Sequence, residues 1–274
     1  MKLGFSTLMF GRLDLYNTLQ HIAWAGYDGA ELAYLEDWAR HFELNTDPSY
    51  IDEIKSAVKE HGLNIFAIHT VARDQTDDDK LKFMTKMFEF ANKLGVPVVT
   101  IRSEGKSGDK EATKNEFNLL RKLSERAESQ GVALAIKPHE GGSIYNTATL
   151  IQMLDTVKSP ALGVNLDIMH LFIAGEDPSE AVYKLGSKIV HSHFRDCPHR
   201  DLSKFTTAEQ ILPGRGVMDF PKILRSLKAV GYDKAVDVDV TWASTYPLSR
   251  QMGLAAEARG YLNRCLRELQ SSSK

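Results

Sequence analysis

The chain carries acids and imidazoles at the ends of two short apolar segments. Segment 162–178 reads LGVNLDIMHLFIAGEDP, reaches Asp167 where a buried strand should end, and places His170 three residues later. Segment 189–196 reads IVHSHFRD and places His191 and His193 on one face of a strand, because side chains alternate between faces. A carboxylate and an imidazole at two strand ends suit a divalent ion, so Asp167 and His193 are candidate metal ligands.

Other polar side chains fall within or at the carboxyl ends of further predicted strands. Together with Asp167 and His193 they occupy seven strands, and they are Glu31, His69, Arg102, Lys137, His139 and Asp239. Any one alone fits an ordinary hydrogen-bonded core or rim group, but apolar packing would have served at every position. Because Asp239 adds a second carboxylate, we expect Asp167, His193 and Asp239 to hold a divalent ion, in preference to a purely hydrogen-bonded network.

The remaining groups are assigned to supporting roles. His170 and His191 are expected to orient ligands or to bind substrate, since metal ligands need orienting partners. Glu31 and His69 could bind substrate hydroxyls or pair with each other across the site. Arg102 is assigned to substrate binding as well.

The predicted elements that must position these groups alternate along the whole chain. Eight strand-like segments are each followed by a helical pattern, and the strands are expected at 2–7, 29–33, 64–70, 97–102, 132–139, 162–167, 189–196 and 235–240. Residues 1–274 are expected to form a single domain, since no Ser-, Gly- or Pro-rich linker divides them. Eight repeated units favour an α/β fold closed into a (β/α)8 TIM barrel, in which all strand ends meet at one mouth.

Composition excludes several classes of protein. A content of 43% hydrophobic and 26% charged residues is ordinary for a globular protein, and the net charge of -2 gives no electrostatic footprint for nucleic acid. No apolar stretch approaches a membrane span and no targeting segment is visible. We therefore expect a cytoplasmic enzyme or binding protein with a small-molecule ligand and without a nucleic-acid or membrane partner.

Three segments in this order resemble the xylose isomerase-like TIM-barrel superfamily. They read NLDIMHLFIAGEDP, VHSHFRDC and LPGRGVMDFPKILRSLKAVGYDKAVDVDV. This superfamily contains tagatose/psicose 3-epimerases, inosose dehydratases and hydroxypyruvate isomerase, with endonuclease IV as a distant branch. The resemblance implies a divalent metal (Mn, Co, Mg, Fe or Zn) at the mouth, with Asp167 and His193 as ligands and His170 touching the substrate. It also implies a homo-oligomer.

Two positions depart from the family pattern. The fifth strand of the family ends in Glu-x-His, whose glutamate is a ligand and an acid/base, whereas this chain reads Lys137-Pro138-His139. The glutamate of the eighth strand is matched by Asp239, which is one methylene shorter. Both members of the family's proton-shuttling pair are therefore changed, which argues against simple two-base epimerisation.

Lys137 allows several accounts. Its ammonium could replace the metal by neutralising Asp167 and Asp239. It could instead stand beside a metal bound by Asp167, His193, Asp239 and His139 or water, as a general acid/base or oxyanion stabiliser, and this account is preferred. A Schiff base with a keto sugar ranks last, and carbamylation, which would restore a carboxylate ligand, is a further alternative.

Loops near the predicted mouth offer more substrate contacts. Arg200 or Arg215, in the charged loop after the seventh strand, could bind a substrate carboxylate or phosphate, or lie in solvent. Trp242 and Tyr246, beyond the eighth strand, could stack on a sugar ring or serve in ordinary packing.

These observations favour a sugar isomerase/epimerase-like enzyme that acts on a small keto sugar or keto acid. Lys137, His139, His170 and Asp239 are the expected catalytic groups, which move protons or hold an enediolate next to the metal. The alternatives are a lyase (dehydratase or decarboxylase) that uses Lys137, and a metal-free, inactive sugar-binding barrel. A DNA-repair nuclease is disfavoured by charge and by the number of candidate ligands.

Overall fold

Eight parallel strands form a closed barrel in the computed structural model, which describes residues 1–35, 38–71 and 76–271. The strands are β1 (Lys2–Ser6), β2 (Gly29–Leu35), β3 (Asn64–Thr70), β4 (Val98–Arg102), β5 (Ala133–Lys137), β6 (Leu162–Asp167), β7 (Ile189–Phe194) and β8 (Ala235–Val238). Each pairs in parallel with its sequence neighbours, and β1 also pairs with β8, which closes the sheet. The expected (β/α)8 TIM barrel is confirmed.

Helices surround the barrel and bury one face each against it. In the described part of the chain they are α1 (Leu15–Trp24), α2 (Pro48–Glu60), α3 (Asp77–Leu94), α4 (Lys110–Ser129), α5 (Thr147–Val157), α6 (Ile168–Ile173), α7 (Pro178–Leu185), α8 (Phe220–Ala229) and α9 (Leu248–Ser271). From α1 to α8, each begins directly after an Asp, Asn or Thr side chain that accepts a backbone N–H of the first turn. The sequence thus places a capping side chain at the start of each of these helices. Among the described residues, no helix combines the length and apolarity needed to cross a membrane.

The predicted element bounds agree with the structure at some strands and differ at others. Strands 64–70 and 162–167 are found as expected, whereas β5 ends at Lys137 because Pro138 has no N–H to continue the ladder. Helix α6 was not predicted. It starts immediately after β6, with the carboxylate of Asp167 accepting the N–H of His170 at 3.2 Å. The two-residue strand Ala39–Arg40, antiparallel to β2, was not predicted either.

The inside of the barrel is polar towards its mouth. TIM barrels usually fill this space with branched apolar side chains. Here the fully or almost fully buried residues include Glu31, Thr100, Asn165, His191, His193 and Asp237. Parallel register brings several of them to one level, since His193 pairs with both Asp167 and Asp237. Buried polar groups at this density require partners, and several of these atoms, such as Oδ1 of Asn165 and both carboxylate oxygens of Asp237, have no hydrogen bond to the described part of the protein.

Candidate active site

A cavity of about 410 Å³ opens at the carboxyl ends of the strands. Its polar lining comes from eight side chains of the barrel and its loops: His69, Arg102, Lys137, His139, His170, Arg195, Asp239 and Thr241. The rest of the lining is apolar or aromatic, namely Leu8, Tyr34, Leu35, Trp38, Val71, Phe83, Met169, Leu202 and Trp242. A pocket with both charged and apolar lining at this end of a TIM barrel is where such barrels bind small molecules.

Two cations and two carboxylates form a cluster at the floor of the cavity, which Lys137, Arg195 and Asp239 line while Asp167 is fully buried beside them. The Nη2 of Arg195 donates to Oδ2 of Asp167. The Nζ of Lys137 lies 3.8 Å from the same oxygen and 3.5 Å from Oδ2 of Asp239. The Nε of Arg195 is 3.8 Å from that Asp239 oxygen. Lys137 therefore lies between the two acids, at the position where the family places a glutamate.

Both floor carboxylates are held ionised. Burial alone would raise the pKa of Asp167, but the guanidinium of Arg195 and the ammonium of Lys137 bring it well below its usual range. Burial opposes ionisation of Asp239 in the same way, and Lys137 and His193 bring its pKa well below the usual range. Neither acid is placed to act as a proton donor at neutral pH.

A second cluster is buried next to the floor and is centred on Glu31. Oδ2 of Asp237 and Oε2 of Glu31 lie 3.5 and 2.8 Å from Nε2 of His191, and Oε2 of Glu31 also accepts from Nε2 of His193 at 2.7 Å. Nδ1 of His69 lies 3.7 Å from the other oxygen of Glu31. Glu31 thus has the partners that a carboxylate inside a buried strand requires.

The charges of the two clusters balance. Burial alone would lower the pKa of His193, but Glu31 and Asp239 raise it to about 9. Burial and the neighbouring Glu31 raise the pKa of Asp237 well above its usual range, so this acid is neutral. The ionised groups are then three carboxylates and three cations: Glu31, Asp167 and Asp239 against Lys137, Arg195 and His193.

The other imidazoles on the cavity wall are neutral. Burial and the charge of Lys137 lower the pKa of His69 to about 3, and burial lowers that of His139 to about 4. Burial also holds the pKa of His170 well below its usual value. The rings of His139 and His170 lie 4.4 Å apart, and Nδ1 of His139 is 2.9 Å from the carbonyl oxygen of Glu140. That contact leaves Nε2 of His139 as a proton acceptor.

The structure brings most of the expected site residues together and separates two of them. Arg102 and Trp242 line the cavity, and Trp242 has a φ of +65°, a left-handed conformation rare for a bulky side chain. Arg215 lies elsewhere, because its guanidinium makes two 2.6 Å bonds to Glu257 of α9. Arg200 packs over the ring of Phe172 at 4.3 Å and is not among the described residues that line the cavity.

Sequence reasoning missed two residues of the site, Arg195 and Asp237. Both continue alternations that were already visible, since Arg195 follows His191 and His193 by steps of two and Asp237 precedes Asp239 by two. Extending the two-residue period forward from His193 and backward from Asp239 would have found them.

Two sets of described side chains have donor atoms close enough together to hold a metal ion. One is Glu31, His191 and His193, the other is His69, His193 and Asp239, and in each set the donors lie within 4.8 Å of one another. The second set, His69, His193 and Asp239, is called the mouth set. It fits an ion because several of its buried donor atoms have no hydrogen-bond partner among the described residues: both ring nitrogens of His69, Nδ1 of His193 and Oδ1 of Asp239. Asp167, an expected ligand, belongs to neither set.

The chain belongs to the xylose isomerase-like TIM barrel family, whose model matches residues 19–265. Inosose isomerase of Halalkalibacterium halodurans is 24% identical over 248 residues, covering 87% of this chain and 86% of that protein. Inosose dehydratase of Geobacillus thermodenitrificans is 22% identical over 251 residues, covering 81% of this chain and 80% of that protein.

Solved structures show the same fold. The crystal structure of the IolI protein with a bound zinc atom has a TM-score of 0.76 and 22% identity, and the match covers 94% of this chain and 96% of that one. The expected family is confirmed, as is an enzyme of the sugar isomerase/epimerase or related lyase type. The two donor sets are compatible with a divalent metal without identifying it.

Proposed function

We propose that this enzyme isomerises or dehydrates a small polyhydroxylated ketone, of the inosose or keto-sugar kind, through an enediolate. The observation that carries the proposal is the position of Lys137, whose buried ammonium lies between Asp167 and Asp239 and lines the cavity. The names of the two curated relatives support this substrate class. The cavity volume of about 410 Å³ is within the range of small-molecule sites.

The two cations of the floor stabilise the negative charge that develops on the substrate oxygen. A ketone oxygen directed at Lys137 and Arg195 meets two preorganised N–H donors in a site largely shielded from water. Both cations are already held by carboxylates, so they need little reorganisation as the enediolate forms. A divalent ion, when bound, would add Lewis-acid polarisation of the same oxygens.

Neutral imidazoles of the wall move the proton. Nε2 of His139 has a free lone pair, and the neighbouring ring of His170 is also neutral, so either can accept a proton from the carbon next to the carbonyl. Return of the proton to the adjacent carbon gives isomerisation. Alternatively, the imidazolium gives the proton to the hydroxyl group on the next carbon, which leaves as water while the enediolate electrons reform the carbonyl and make a C=C bond, and this gives dehydration. The first step is common to both reactions.

Exchange of substrate hydrogen with D2O tests that common step directly. The protein is incubated with an inosose and, separately, with a keto-hexose, and proton NMR follows the hydrogen next to the carbonyl. We expect deuterium incorporation by the wild type. In Lys137→Met the rate should fall by about 10²- to 10³-fold, as for loss of an oxyanion-stabilising donor.

Lys82→Met is the matched control, because the side chain of Lys82 is 77% exposed on α3 and lies away from the site. Exchange should be unchanged in this variant. An unaltered exchange rate in folded Lys137→Met protein would contradict the role of Lys137. Absence of exchange with both classes of ketone would contradict the proposed function.

A further inference from the structure

Asp167, an expected metal ligand, already contacts two positively charged side chains of the protein. Its Oδ2 accepts from Arg195 and lies 3.8 Å from Nζ of Lys137. A divalent ion on this oxygen would lie against two positive groups, and repulsion between like charges at such distances in a buried site is strong. The family's arrangement, with an anion at the position of Lys137, does not have this conflict.

We infer that a divalent ion at this mouth is bound by His69, His193 and Asp239, and not by Asp167. This inference rests on the divalent ion of the proposed function and assigns its ligands. The donor atoms of the three side chains lie within 4.8 Å of one another. The rings of His69 and His193 have centroids 5.3 Å apart, and Nδ1 of His193 is 3.2 Å from Oδ2 of Asp239.

The free donor atoms of this set are all buried. Both ring nitrogens of His69, Nδ1 of His193 and Oδ1 of Asp239 have no hydrogen-bond partner, although the three side chains are 5% exposed or less. Buried polar atoms without partners are costly and rare in native proteins, and a bound ion is one of their ordinary explanations. Two imidazoles and a carboxylate are a donor set that first-row divalent ions accept.

Neighbouring groups orient two of the three ligands. Nε2 of His193 donates to Glu31 at 2.7 Å, so a metal would bind the other nitrogen, Nδ1, and displace the proton that Nδ1 carries in the metal-free protein. Metal-binding histidines usually donate their second ring N–H to a carboxylate in this way. Oδ2 of Asp239 faces Lys137 at 3.5 Å and Nε of Arg195 at 3.8 Å, so an ion would bind the other oxygen, Oδ1, which has no partner in the described part of the chain. Asp167 has no such free oxygen, because its Oδ1 accepts the N–H of His170. Lys137 therefore occupies the side of Asp239 that faces Asp167.

The deeper donor set is the weaker candidate. In the set of Glu31, His191 and His193, Nε2 of each imidazole already hydrogen bonds to Glu31, at 2.8 and 2.7 Å. Neither Glu31 nor His191 is among the described residues that line the cavity, whereas His69 and Asp239 are. An ion in the mouth set would be next to substrate, and an ion in the deeper set would not.

Calorimetric titration of the metal-depleted full chain with Zn²⁺ separates the ligand sets. Loss of a hydrogen-bond partner outside the ligand set typically lowers metal affinity by roughly 10- to 100-fold. The Zn²⁺ affinity of His69→Gln should fall by more than this, and that of Asp167→Asn should fall by no more. His191→Gln is the matched control, because His191 is an equally buried imidazole next to Glu31 that lies outside the mouth set. Its affinity should also stay within that range.

X-ray absorption of the zinc-loaded wild type gives a result that depends on no variant. We expect scattering from two imidazole ligands, whereas a site of Asp167, His193 and Asp239 would give one. A single imidazole, unchanged affinity in His69→Gln, or no zinc binding by the wild type would each overturn the inference. D2O exchange by metal-free protein would then leave the proposed function standing, so the two failures are distinguishable.

Discussion

Arg195 decides which carboxylate of the mouth is available to ligands. Its side chain is 6% exposed and donates to the fully buried Asp167, while Lys137 lies farther from the same oxygen, at 3.8 Å. Removing one partner of a buried ion pair leaves an uncompensated charge and typically costs about 3–5 kcal/mol. We expect Arg195→Met to lower the free energy of unfolding by an amount in this range, and Lys137→Met to lower it by less.

Urea unfolding followed by circular dichroism measures both losses. Arg215→Met is the control, because its bidentate pair with Glu257 is about 40% exposed and such surface pairs contribute about 0–1 kcal/mol. A loss in Arg195→Met no larger than that in Arg215→Met would contradict the assigned role of Arg195.

At the scale of residues, the sequence predicted which side chains belong to the site better than it predicted which of them pair with each other. Alternation along β7 and β8 was enough to predict His191, His193 and Asp239, because side-chain direction is a local property. It could not predict that Asp167 would bind Arg195, or that Arg215 would bind Glu257, since these pairs depend on distances across elements 28 and 42 residues apart.

At the scale of elements, Gly4 of β1 lies so close to Asp237 of the cluster around Glu31 that a Cβ has no space there. A Cβ on Gly4 would lie 1.7 Å from Oδ1 of Asp237 and 2.9 Å from the ring of Phe66. We expect Gly4→Ala to destabilise the protein by about 1–3 kcal/mol or more, since overpacking forces neighbours to move. The measurement is the urea midpoint at constant m-value.

Gly253 provides the opposite case within the chain. It is an exposed position in α9, and a Cβ there would meet nothing within 4 Å. Replacing a helical glycine with alanine stabilises by about 0.4–1 kcal/mol at a compatible position, so Gly253→Ala should raise the midpoint. If both alanine variants shift the midpoint in the same direction, the close approach of β1 to Asp237 is not what determines the effect.

The elements were predictable because their signals are local and repeated. Helix caps such as Asp47-Pro48 and the glycine at position 95 mark where helices start and end. Helix α6 escaped prediction because its six residues follow β6 without a turn, so the apolar run IMHLFI had no boundary of its own. A short apolar run cannot be assigned from periodicity alone.

For the whole molecule, buried imidazoles make stability depend on pH. Five histidines have folded pKa values below the ordinary value of 6.5: His41, His69, His139, His170 and His191. Below about pH 6.5 these imidazoles bind protons in the unfolded chain but remain neutral in the folded protein. The unfolding free energy of metal-free protein should therefore fall towards pH 4. Each such group contributes up to about 1.4 kcal/mol per pH unit while it stays neutral.

His193 acts in the opposite direction and at the other end of the pH range. Its folded pKa of about 9 lies above the ordinary value, so its stabilising charge is complete below pH 6.5 and is lost as the pH rises through 9. Urea unfolding at fixed ionic strength between pH 4 and 10 should therefore give greatest stability near pH 6.5 to 8. In His193→Gln the decline above pH 8 should be reduced while the acid decline remains, because the neutral imidazoles that cause the acid decline are still present. A stability that keeps rising from pH 7 down to pH 4 would show that these imidazoles are not held neutral, and would remove them as proton acceptors.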